Sequence, residues 1–84
     1  MSADADFEYV VLGPQSFGLA IHELRRRCGI TQGDLAAASG LHRSYLSALE
    51  HGAYTQALLH VIEAYRALGA EVVVRPKRSW QETT

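Results

Sequence analysis

Between Thr31 and Gly52 the chain has room for two short helices and one sharp turn, and for little else. Thr31 is a good N-cap, and Asp34 stands three residues on, where its carboxylate can reach back to the cap. A helix is therefore predicted over Gln32–Ser39, with Leu35 and Ala36 toward a core and Gly33 as a weak point in the first turn. Ala37 and Ala38 are small enough to let another helix approach. Gly40 ends this helix and supplies the left-handed backbone of a tight turn. Leu41 anchors the turn, and a second helix is predicted over Arg43–Glu50. His42 lies near its cap, Leu46 and Leu49 face inward, and Gly52 terminates it. Two short helices joined this way form a helix-turn-helix unit.

The flanks add two more helices and two strands. Phe17, Ala20, Ile21, Leu24 and Cys28 recur at helical spacing, after Ser16 as an N-cap and before Gly29 as a stop. His22, Arg25 and Arg26 fall on the opposite side. The run Arg25, Arg26 and Arg27 reads as a solvated face for at least one of its members, and Cys28 reads as a small buried hydrophobe. Thr55 caps a further helix that runs to Leu68, with Leu58, Ile62 and Tyr65 or Leu68 on its inner side. Residues 7–12 read as a short strand, or as an extended arm packed on the core. Residues 71–75 read as a strand ending at Pro76. Val72, Val73 and Val74 need a partner strand. They can pair with residues 7–12 of their own chain, with a second copy across a two-fold axis, or with both, and the expectation is a dimeric sheet. The predicted organisation is an arm at 1–14 with its first five residues disordered, a helical domain at 15–69, a dimerisation strand at 70–76 and a flexible tail at 77–84.

With 84 residues, 48% of them hydrophobic, the chain can build one compact domain. It has no apolar run of membrane-spanning length and no secretory signal pattern. Its single cysteine precludes an internal disulfide. A soluble cytoplasmic protein is expected. Net charge is −1, which is unusual for a binder of phosphates. The charge is uneven, however: residues 1–14 hold three acids and no base, while the remainder holds all eight bases against six acids. An enzyme is not expected. His22, His42, His51 and His60 lie on different elements without metal-ligand spacing, and no phosphate loop or catalytic triad order is present. No cofactor or metal is therefore expected.

The second helix of the unit has an outer face made of His42, Arg43, Ser44, Ser47 and Ala48. A DNA major groove is about 12 Å wide and admits such a helix. Arg43 is the best base reader there, because its fork can bind guanine O6 and N7 together; a phosphate contact is the alternative. His42 and Ser44 can donate to a phosphate or a base edge, and Ser47 and Ala48 can touch a thymine methyl. Tyr45 either bonds a phosphate or packs at the domain edge.

Thr31-Gln32, Leu35-Ala36, Gly40-Leu41, Leu46-Ser47 and Leu49-Glu50 with Gly52 resemble the helix-turn-helix of the phage-repressor family (Cro/C1, XRE type). The resemblance implies an all-α, four-helix, lambda-repressor-like domain with short N- and C-terminal strands and a strand-mediated dimer. It implies that Gln32 bonds a phosphate and buttresses the recognition helix, and that the loop at His51 lies near the DNA backbone. The order of strand, four helices, strand and polar tail is similar to HipB-type antitoxins. That narrower likeness implies a homodimer that represses its own promoter from a near-palindromic double-stranded operator, with a toxin protein as partner. Trp80 would then be a partner-binding residue, the alternative being that it packs on its own core. A helix-turn-helix used only as a protein-interaction scaffold is the rival function.

Overall fold

The computed structural model describes residues 7–77. Its elements run β1 (Tyr9–Val11), α1 (Gln15–Cys28), α2 (Gln32–Ser39), α3 (Arg43–Glu50), α4 (Gln56–Ala67) and β2 (Val72–Val74). Four helices are thus flanked by one two-stranded antiparallel sheet.

Local chemistry accounts for most boundaries. Thr31 Oγ1 accepts the Asp34 backbone N–H at 3.0 Å, and Asp34 Oδ2 accepts the Thr31 N–H at 3.1 Å, a complete capping box. Gly40 closes α2 at φ 80°, a conformation that costs a residue with a Cβ. Thr55 Oγ1 accepts from Leu58 N at 3.2 Å and starts α4. Leu68 is the C-cap of α4, so the helix stops one residue short of the predicted end.

At α1 the cap differs from expectation. Ser16 lies inside the helix, and Pro14 (φ −63°) precedes its first residue. Proline has the helical φ built in and no N–H to satisfy, so it sets the start without a side-chain cap. The Ser16 N–H bonds Gly13 O at 3.0 Å, in the turn that leads in.

The two strands find each other. Tyr9 pairs with Val74, Val10 with Val73 and Val11 with Val72. Both are shorter than the sequence pattern suggested. Val11 faces inward and is buried, while Val10 and Val73 sit side by side on the outer face.

Ala20, Leu46, Ile62 and Val11 form the buried core, drawn from α1, α3, α4 and β1. Of the expected core residues, Phe17, Ile21, Leu24, Leu35, Leu49 and Leu58 are half-buried and Cys28 is exposed, as are both Tyr65 and Leu68, the two alternatives for the inner side at the end of α4. As the last residue of α1, Cys28 borders an apolar hollow that stays open among the described residues. Tyr65 and Leu68 are 46% and 79% exposed. Ile62 takes the inward position on α4, and strands of three residues are too short to cover the helix's last turn.

Candidate nucleic-acid interface

The placement of α3 begins with a glycine. Gly18, in the first turn of α1, lies against the last turn of α3, and a Cβ built there would stand 1.5 Å from Leu49 O. Only a residue without a side chain lets the backbones approach so closely, which offsets the usual cost of glycine in a helix.

Beside that contact lies a buried carboxylate. Glu50 follows Leu46 by four residues and therefore shares its inward face. Its side chain is 2% exposed. Arg25 grips it with a fork, Nε to Oε2 at 2.9 Å and Nη2 to Oε1 at 2.9 Å, while Nη1 bonds Ile30 O at 3.1 Å. His22 Nδ1 lies 2.9 Å from Oε1, and as a donor it requires the proton on that nitrogen. Gln32 Nε2 donates to the same oxygen at 3.2 Å. One acid on α3 is thus held from α1 and α2 together.

Such a buried pair is sound only when its remaining polar capacity is satisfied, and here four donors converge. Hydrogen bonding from Arg25 pulls the Glu50 carboxyl down from 4.5 to about 2, with His22 and Gln32 adding to the effect against the opposing influence of burial. The same contact raises the Arg25 guanidinium further above its ordinary value. Asp34 is also lowered, chiefly by the Thr31 backbone N–H and then by the Thr31 side chain.

Arg25 and His22, expected on the side away from the apolar stripe, are structural partners of Glu50, while Arg26 and Arg27 are exposed, as expected of at least one member of the run. Arg27 is engaged as well, with Glu23 at 3.1 Å and over the ring of Phe7 at 4.2 Å. The signal was present in the chain: an acid on the inward face of a short helix has to meet a cation.

The outer face of α3 is open. His42, Arg43, Ser44, Tyr45 and Ala48 are exposed and Ser47 is half-buried. Arg43 forms no ion pair with any described residue. His42 occupies the N-cap position without a side-chain cap bond. His51 is exposed and folds its Nδ1 to within 2.8 Å of Ser47 O, which leaves Nε2 for another partner. Gln32, at the start of α2, is half-buried and spends one amide hydrogen on Glu50. His42 to Ala48 share α3 and its cap position, His51 follows at the end of that helix, and Gln32 approaches α3 from α2 through Glu50. Val72, Val73 and Val74 lie away from the helix-turn-helix in the sheet, and Trp80 falls outside the described residues. No described helix is long and apolar enough to cross a membrane.

A protein-family model described as helix-turn-helix matches residues 21–70. No curated protein and no solved structure gives a significant match. The match spans α2, α3, α4 and the part of α1 that holds Arg25. With over half of its length matched, the chain belongs to the Cro/C1-type helix-turn-helix family, whose members are double-stranded DNA-binding transcription regulators.

Proposed function

We propose that this protein is a dimeric, sequence-specific repressor that inserts α3 into the major groove of a near-palindromic operator. The observation that carries this reading is the contrast between the two faces of α3. The inner face is fixed by Glu50 and Gly18, while the outer face presents Arg43 with no ion pair to any described residue. A side chain that reads a base edge must be held in register by something behind it. In this reading Arg43 contacts a guanine edge, and His42, Ser44, Tyr45, Ser47 and Ala48 complete the contact surface. Gln32 and His51 bond phosphates, one at each end of the motif.

The dimer rests on a different surface. Val10 and Val73 on the outer sheet face, with Tyr65 and Leu68 on α4, are apolar and exposed. A second copy related by a two-fold axis would cover them, with Val72, Val73 and Val74 at the centre, and set two α3 helices about 34–36 Å apart, one turn of DNA. Repression then follows from occupying a promoter, its own in an autoregulated antitoxin pair, with a toxin bound to the dimer and Trp80 contributing to that contact.

Fluorescence anisotropy tests this. The protein is titrated against its own upstream DNA and a scrambled duplex, each at two salt concentrations. Preferential, steeply salt-dependent binding to the upstream duplex is expected. A second reading is favoured by one observation: Arg43 is the only lysine or arginine on α3, in a chain of net charge −1. In that reading the motif is a scaffold for a protein partner, and the partner's binding hardly changes with salt.

A further inference from the structure

We propose that the groove between α4 and the sheet is a self-complementary contact with a second copy of this chain, in which Arg66 of each copy meets Glu71 of the other. The inference rests on the dimer proposed above and states how its two halves recognise each other. The groove has a volume of about 300 Å³. Val11 and Ile62, both buried, form its floor. Leu12, 76% exposed, and Tyr65 line its open side. Apolar surface left open in this way marks a place where another surface is met.

Two charges border the groove. Arg66 stands in the last turn of α4, on the helix side, and Glu71 stands just before β2, on the sheet side. Both are exposed, and neither forms an ion pair with any described residue. The turn between them is closed by two backbone bonds, Gly69 N–H to Arg66 O and Ala70 N–H to Tyr65 O, each 3.0 Å long. Gly69 takes the left-handed conformation that such a helix end requires, at φ 76°. The two charges are thus carried on a fixed frame, one on either side of the groove.

One cation and one anion on a single apolar patch select the partner. A nucleic acid or an anionic membrane is met by cations alone, and a patch with two like charges would repel its own copy. A two-fold axis that runs between Arg66 and Glu71 carries the helix side of one copy onto the sheet side of the other. Arg66 then meets Glu71 of the second copy, and symmetry repeats the contact. Continued by one step past Val11 and Val72, the sheet register sets Leu12 opposite Glu71. Leu12 therefore travels with Glu71 toward Arg66 of the second copy, whose aliphatic stem covers it. The groove also adjoins Val10 and Tyr65, which the proposed dimer covers.

Charge reversal tests this in the full chain. The dissociation constant of self-association is measured by sedimentation equilibrium for the native protein, for Arg66→Glu and for Glu71→Arg. Each reversal puts two like-charge contacts in place of two opposite ones and is expected to weaken the dimer about thirtyfold. A mixture of the two variants is expected to associate about as tightly as the native protein, because in that heterodimer both contacts again join opposite charges. Recovery on mixing separates a contact between copies from one within a chain. Far-UV circular dichroism of each variant establishes that the fold is retained. A native dimer that neither reversal weakens overturns the proposal and leaves the dimer itself standing. So does a mixture that associates no better than its components. A native chain that stays monomeric at every concentration removes the dimer, and this contact with it.

Discussion

The contact between α1 and α3 and the contact between α4 and the sheet are built on opposite principles. The first has a glycine where the backbones touch and a buried acid with four donors. The second buries Ile62 and Val11 and then leaves Val10, Tyr65, Leu68 and Val73 exposed. A surface complete in itself keeps its geometry whatever it binds. A surface with unspent apolar area gains by meeting another. Under the proposed function the two regions have two tasks: α1–α3 would hold the reading helix in place, and α4 with the sheet would be where the molecule gains by association.

Six substitutions can break or sharpen that division. The largest effect is expected at Glu50. Glu50→Ala strands Arg25, and losing one partner of a buried pair costs about 3–5 kcal/mol, to be read from urea unfolding. The same carboxylate carries a pH signature. Its folded value is depressed to about 2 from 4.5, so its contribution is complete above about pH 4.5 and fades as pH falls toward 2. Glu50→Gln should flatten that part of the stability profile.

Gly18→Ala comes next. The methyl group has no space beside Leu49 O, and overpacking of this kind costs about 2–3 kcal/mol. Calorimetric melting checks it; a melting temperature equal to the native one would mean that α1 and α3 do not touch as described. Arg43→Ala leaves stability unchanged and weakens operator binding by about 1–3 kcal/mol, with preference relaxed at one base pair of each half-site. Titration against single-base operator variants separates this from a phosphate contact, which would weaken all duplexes alike. The smallest effect on folding is expected from Val73→Thr with Leu68→Ser, within about 0.5 kcal/mol for surface positions. Light scattering should nonetheless show the dimer lost. If these two changes destabilise the fold as much as Gly18→Ala, the division between the regions fails.

Much of the architecture was legible because short-range chemistry decides it. The bounds of α2 and α3 follow from Thr31, Asp34, Gly40 and Gly52, each acting within a few residues, and the helices fall where those residues place them. The start of α1 was misplaced because Ser16 is a favoured N-cap residue, whereas Pro14, with φ already set, takes precedence. The roles of Arg25 and His22 were hidden because helical spacing sorts residues into faces without saying which faces meet. Their partner is 25 residues or more away in the chain. Gly18 is read only when the helix that crosses it is known. Either Tyr65 or Leu68 was expected inside because their spacing matches Ile62, yet both are exposed, since a two-stranded sheet offers too little surface to cover the last turn of α4. The outer face of α3 was legible as a face, since it is what remains once Leu46, Leu49 and Glu50 are turned inward.

The most direct test is to follow the backbone amide resonances of the isotopically labelled protein as its upstream operator duplex is added. The account predicts that the amides of residues 42–48, with Gln32 and His51, shift first and furthest. Shifts confined to residues 10–12, 61–68 and 72–74, with α3 unmoved, would contradict it.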